Sequence, residues 1–109
     1  ENGDRDRITI NLFMHQRHFE KITDFTVGID LIELDSFAMR SLSNSNGGVL
    51  AEENFALNYP HDVNDYIIYN MDTGTLFYDQ DGSRNFYKAE EIALLAPQLL
   101  LSYHNFIVS

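Results

Sequence analysis

Apolar and polar residues alternate in short bursts along this chain, separated by turn-forming clusters. Between Arg7 and Leu12, Ile8, Ile10 and Leu12 stand against Arg7, Thr9 and Asn11, the period of a half-buried strand. Asp30–Leu34, bounded by Gly28 and Asp35, predicts a second strand. Tyr66–Asn70 and Thr75–Asp79 predict two more, joined by Met71, Asp72, Thr73 and Gly74. Gly74 can take the positive φ of a tight hairpin, and Asp72 can bond back to its own turn backbone. An acidic bend, Asp79-Gln80-Asp81-Gly82-Ser83, follows directly, and Gly82 offers it the same freedom.

Other stretches are less regular. Ser36–Leu42 does not alternate cleanly and fits one helical turn, as does Leu50–Phe55. Asn44–Gly48 and Asn58–Asp62 are loops by composition. Ala89-Glu90-Glu91-Ile92-Ala93-Leu94-Leu95 has strong helix propensity, so the residues alone favour a helix over Phe86–Leu95. Pro97 ends that element, and Leu99–Val108 supplies the last one. The pattern predicts a mostly β fold: a small β-sandwich or the flattened end of a β-roll, with one or two short helical turns between Ser36 and Phe55. Its core is expected to draw on Ile8, Ile10, Phe25, Leu31, Ile32, Leu34, Ile68, Leu76, Phe106 and Val108.

Composition narrows this picture. At 109 residues the chain is one domain, and 44% hydrophobic residues with eight Phe and six Tyr suit a modest core. No apolar run approaches the roughly 20 residues of a membrane span. The Glu1-Asn2-Gly3-Asp4 terminus lacks the apolar segment of a signal peptide. Seventeen acidic against seven basic residues give a formal charge of −10. Nucleic acid and anionic membranes, which are gripped by Lys and Arg, are therefore not expected partners. Cysteine is absent, so a small domain of this kind must find reinforcement elsewhere, and a bound metal is one source.

Catalytic signatures are missing: no cysteine nucleophile, no G-x-S-x-G elbow, no H-E-x-x-H pair and no phosphate-cradling glycine loop. The chain is expected not to be an enzyme. The best candidate for chemistry is the acidic bend. Oxygens at alternate positions around a sharp turn converge on one point, as Ca²⁺ requires, and Asp79, Asp81 and Ser83 supply them, with Glu90 at the twelfth position. The glycine falls at the fourth position of that loop and not the sixth, and its flanks are not helices, so an EF-hand is rejected. A solvated β-turn is the other reading of the same residues. His15 and His18, with Glu20, have the spacing of a transition-metal pair on a helix face, or are plain surface residues; His61 and His104 stand alone.

Specific residues carry a resemblance. Asp65, Ile68, Tyr69, Asn70, Thr73, Gly74, Leu76, Tyr78, Asp79, Asp81 and Gly82 follow the run D-x-x-I-Y-(N/D)-x-x-T-G-x-L-x-Y-D-x-D-G. That run resembles the C-terminal region of RTX-type (haemolysin-type calcium-binding) proteins, the substrates of bacterial type I secretion. Upstream, Ile22 to Leu34 is similar to the family's I-x-D-F-x-x-G-x-D-x-I-x-L segment. Downstream, Ile92–Leu95 and Asn105–Val108 are similar to its closing A-x-L and D-F-x-V. The resemblance runs from Ile22 to Ser109.

The resemblance implies a strand at Phe86–Leu95, which we take over the helix. It implies that residues 1–109 form a single non-catalytic capping and secretion domain, secreted and extracellular. Its partners would be the upstream domain of its parent and the type I export machinery. Residues 1–21 would be the degenerate end of a repeat array, with Asp6 and Ile8 at the Asp and apolar positions of the glycine-rich nonapeptide; Asp4 occupies a glycine slot, and no intact repeat is present. The uncleaved export signal would lie in the terminal strand, on Leu99, Leu101, Phe106, Ile107 and Val108. The chain departs from the family at Tyr103-His104-Asn105, where small residues followed by Asp are usual. The alternative is a self-contained adhesin or ligand-binding domain whose surface is shaped by Ca²⁺.

Overall fold

The computed structural model describes residues 7–10, 20–22, 25–36, 39–45, 47–84 and 88–108. The strands are β1 (Arg7–Ile10), β2 (Glu20–Lys21), β3 (Leu31–Leu34), β4 (Gly48–Val49), β5 (Phe55–Leu57), β6 (Ile67–Tyr69), β7 (Thr75–Tyr78), β8 (Glu90–Leu94) and β9 (Phe106–Val108). They form two sheets, ordered β1-β3-β9-β4 and β2-β8-β7-β6-β5. Short 3₁₀ segments at Arg40–Ser45, Glu52–Asn54 and Tyr103–Asn105 are the helical turns. The mostly β expectation holds.

Both sheets contribute to one core. Ile32, Leu34, Phe106 and Val108 come from the first, and Ile67, Tyr69, Leu76, Tyr78, Ile92 and Ala93 from the second. β3, β7 and β9 keep the alternation that the sequence predicts, one residue in and one less buried. In β6, by contrast, Ile67, Ile68 and Tyr69 are all buried, as in a strand covered on both faces. Met39, Leu42 and Leu50, from irregular segments, also sit in the core. Of the predicted core, Leu31 is only half-buried, and the side chains of Ile8 and Ile10 lie outside the described residues.

Within the disputed segment, Glu90–Leu94 is a strand, while Phe86 and Tyr87 lie outside the described residues. β8 pairs antiparallel with β7, but Leu76 faces Ala93 while Phe77 faces Glu91, leaving Ile92 as an extra residue in a bulge. A bulge turns two successive side chains the same way, so Ile92 and Ala93 are both buried. This breaks the period of two that would have marked a strand, while pairing with β7 overrides the helix propensity of the Ala, Glu and Leu residues.

The β6–β7 hairpin turns as predicted at Gly74, with φ 84°. A Cβ there would lie 2.1 Å from the Leu95 carbonyl oxygen, so the turn is pressed against the end of β8. The capping side chain, however, is not Asp72. Asn70 Oδ1 accepts from the backbone N–H groups of Asp72 and Thr73 at 2.9 and 3.3 Å. Residue 70 is better placed because an Asx side chain at the first turn position reaches the amides that follow it.

The chain end is docked, though only Phe106–Val108 of the Leu99–Val108 element is strand. Tyr69 donates its hydroxyl to the Ala96 carbonyl and accepts from Leu99 N–H at 3.1 Å. Ser102 and Asn105 form a reciprocal capping box around the last 3₁₀ turn. β9 then enters the middle of its sheet, parallel to β3 and antiparallel to β4.

Candidate functional site

Two features of the fold can carry function: the edges of the sheets and the acidic bend. The edges differ at the two ends. β4 and β5 are consecutive, linked by residues 50–54, and the Phe55 ring lies 5.4 Å from the Phe106 ring, so these outer strands mark one end. The outer strands at the other end are β1 and β2, the first two of the chain.

At the β4–β5 end, part of the outward backbone of β5 is satisfied from within. In the parallel pair β5–β6, Tyr66 N–H donates to the Asn54 carbonyl and Asn58 N–H to the Tyr69 carbonyl. The groups of Phe55 and Leu57 therefore point outward. Phe55 N–H donates to the Glu52 carbonyl, and the Leu57 carbonyl accepts from Tyr59 N–H at 2.9 Å and meets His61 Nε2 at 3.3 Å. The edge is folded back on itself.

At the other end the pattern reverses. β2 runs parallel to β8, and Ile22 N–H donates to the Leu94 carbonyl at 2.8 Å. By the alternation of a parallel ladder, the N–H and C=O of Lys21 face away from the sheet. Among the described residues, neither β1 nor β2 pairs with a strand on its outer side. Beside β2 opens a cleft of about 230 Å³, lined by Lys21, Ile22, Leu94, Leu95 and Ala96.

The acidic bend is held rigidly. Asp79 N–H donates to the Tyr66 carbonyl, and Ser83 N–H to the Asp62 carbonyl at 3.0 Å. Gly82 has φ 62°, and a Cβ on it would come within 2.5 Å of the Val63 carbonyl, so this bend and the 58–65 loop are in backbone contact. Ser41 ties in the other flank, donating its hydroxyl to the Gln80 carbonyl at 2.8 Å and accepting from the Tyr78 hydroxyl at 3.1 Å.

Within it, Asp79 and Asp81 come together. Asp81 N–H donates to Asp79 Oδ1 at 3.3 Å. Asp79 is buried, and burial followed by the hydrogen bond and negative charge of the Asp81 carboxyl pushes its pKa up to about 6. Such a pair holds a proton readily and can equally face a cation. The other candidates lie apart: Ser83 is exposed, and Glu90 is exposed on β8 opposite Tyr78. No three Asp, Glu or His side chains among the described residues converge as a metal centre does. Two carboxylates supply only part of the six to eight oxygens of a Ca²⁺ sphere.

His15 and His18 lie outside the described residues, as does the side chain of Glu20. His61 and His104 are exposed. Asp65, which the sequence placed only at the head of the motif run, is buried and accepts from the N–H groups of His61 and Asp62 at 2.7 and 3.0 Å. Its signal was there, an Asx residue closing a Pro-containing loop. The terminal residues Leu101, Phe106 and Val108 are buried, with Leu99 and Ile107 half-buried.

No family model, curated protein or solved structure matches the chain.

Proposed function

We propose that the chain is the non-catalytic C-terminal module of a secreted RTX-like protein, capping an upstream β-roll. The observation that supports this is the asymmetry of the edges. A β-roll grows by adding one parallel strand to each of two sheets per coil, and its last coil leaves unpaired backbone groups on both. Here β1 and β2 stand on the outer side of the two sheets, each parallel to its inner neighbour. An upstream coil would pair with them in the same sense, and one of its apolar side chains would fill the cleft beside Lys21. The folded-back β5 edge would end the stack, and with it part of the aggregation hazard of an open one.

In this reading the terminal segment serves twice. While the chain is unfolded, Leu99, Leu101, Phe106, Ile107 and Val108 are exposed and available to the type I export machinery. Outside the cell they become the buried β9 and its approach. Calcium would act on the acidic bend, with Asp79 and Asp81 as ligands, and assist folding after export.

The experiment joins the chain to a calcium-dependent β-roll built from intact nonapeptides. The reading expects a monomeric fusion in which roll and cap melt together at a higher temperature than the roll alone. Independent melting of the two halves, with the roll still self-associating, would overturn it.

A further inference from the structure

The acidic bend contains one dipeptide whose chemistry the fold has to restrain. Only glycine suits position 82: φ is 62°, in the left-handed region, and a Cβ would lie 2.5 Å from both the carbonyl carbon and the oxygen of Val63. The residue before it is Asp81. An aspartate followed by glycine rearranges by itself more readily than other aspartyl pairs, because no side chain shields the glycine nitrogen. That nitrogen attacks the Asp81 side-chain carboxyl carbon, and a hydroxyl leaves with the amide proton as water. A five-membered succinimide results. Water then adds back to one of its two carbonyls. One opening restores aspartate, and the other leaves isoaspartate, with the main chain routed through the former side chain. No other reagent is consumed, and the mass is unchanged.

The structure opposes the first step at several atoms. Gly82 N–H donates to the Asp79 carbonyl at 3.2 Å, so the attacking nitrogen is engaged elsewhere. Asp81 N–H donates to Asp79 Oδ1 at 3.3 Å, and the Asp81 carbonyl accepts from Arg84 N–H at 3.2 Å. These two bonds hold the backbone on either side of the reacting residue. Gly82 is buried, with the Val63 backbone pressed on it, and Ser83 N–H donates to the Asp62 carbonyl at 3.0 Å. The 58–65 loop that provides this cover is itself fixed by the Asp65 carboxylate, which accepts from His61 and Asp62 N–H. Ring closure needs the Asp81 backbone to rotate, and the bend cannot rotate while Gly82 is held against Val63. The reaction therefore waits on local opening, at a rate set by the fraction of chains in which loop and bend have parted.

We propose that Asp81-Gly82 is a covalent modification site, an isoaspartate switch held off by the 58–65 loop. Isoaspartate adds a methylene to the main chain, so the Gly82 and Ser83 N–H groups cannot both regain Asp79 and Asp62. A bend that has isomerised stays open. This goes beyond the capping reading and needs neither an upstream domain nor calcium.

The test incubates the folded chain, with chelator, beside a peptide of residues 76–84 under the same conditions. Isoaspartate at position 81 is read by fragment-ion mass spectrometry, and opening by amide exchange at Gly82. The peptide should isomerise at least about tenfold faster than the folded chain, the ratio set by an opening free energy of ~1.4 kcal/mol. Asp65→Ala removes the anchor of the loop and leaves the reacting pair untouched, so exchange and isomerisation should rise together. If that variant does not fold, Ser41→Ala, which removes the hydroxyl bonded to the Gln80 carbonyl, and the parent chain in urea below its transition test the same correlation. The isomerised chain, once isolated, should melt below the parent and lose amide protection at Asp65 and Ser83. A folded chain that isomerises as fast as the peptide would overturn the proposal. So would faster Gly82 exchange with no gain in isoaspartate, or an isomerised chain that melts like the parent.

Discussion

The two ends of this small sandwich solve the same problem differently. At the β4–β5 end, the Phe55 N–H and the Leu57 carbonyl are taken up by Glu52, Tyr59 and His61, a few residues away in sequence. At the β1–β2 end, the outward groups of Lys21 find no strand among the described residues. A sheet edge is a template for any extended chain, and folded domains ordinarily blunt it. Among the described residues, blunting β5 and leaving β2 without an outer partner gives the domain a direction. A strand that pairs with Lys21 would meet backbone groups still facing outward, whereas beside β5 the Phe55 N–H and the Leu57 carbonyl are already engaged.

β9 is the piece on which both ends depend, because it lies between β3, which carries β1, and β4. Phe106 is fully buried and its ring meets that of Phe55. Deleting Leu99–Ser109 should therefore abolish folding, read as loss of the cooperative melting transition. Phe106→Ala alone should cost about 3–5 kcal/mol, a large share of the roughly 5–15 kcal/mol a domain of this size possesses. A truncated chain that still melts cooperatively would show that β9 is dispensable.

Gly82→Ala sharpens the comparison from the closed end. The new Cβ meets the Val63 carbonyl carbon and oxygen, both backbone atoms, at 2.5 Å. Neither can yield as a side-chain tip does, so the acidic bend must part from the 58–65 loop. A loss of about 2–3 kcal/mol is expected, with amide exchange rising first at Asp62–Asp65 and little change at β2.

Asp79 gives a smaller, pH-dependent effect. Its pKa rises from 3.8 to about 6 on folding, so the native state binds the proton more tightly than the unfolded chain. The stability associated with that proton is fully present below pH 3.8 and is lost as the pH rises through about 6. Above that the fold carries a buried charge beside Asp81. Asp79→Asn keeps the shape without the charge, and should stabilise the domain at pH 7 by up to about 3 kcal/mol, with the gain fading near pH 4. If Asp79 holds calcium, millimolar Ca²⁺ should raise the melting temperature of the parent and not of the Asn variant. Equal calcium responses in the two would remove Asp79 from any calcium role.

Much of this architecture is legible where burial follows the strand period, as in Leu31–Leu34, Thr75–Tyr78 and Phe106–Val108. Legibility fails where the backbone breaks its own rhythm. Ile92 bulges out of register, so Glu90–Leu94 presents two buried residues in succession and no strand period offsets the helix propensity of its residues. Met39, Leu42 and Leu50 are core residues on irregular backbone, where no period marks them. The asymmetry of the ends is not a local property at all. β5 is parallel to β6, and β2 is parallel to β8 across some 70 residues of chain, so only the assembled sheets reveal which edges are open. The acidic bend was readable as Asp79 with Asp81. Its anchoring on Val63 was not, because that contact depends on where two loops end up.

Hydrogen exchange on the chain joined to an upstream β-roll is the most direct test. In the isolated domain, the Lys21 amide should exchange freely, and in the fusion it should become protected, while the closed-edge amides of Phe55 and Tyr59 remain unchanged. Lys21→Pro, which removes an N–H that the β2–β8 pair does not use, should leave the isolated domain folded and abolish the coupling to the roll. Lys21 exchange that is equally fast with and without the roll, or a Lys21→Pro fusion that still melts as one unit, would contradict the open-edge account.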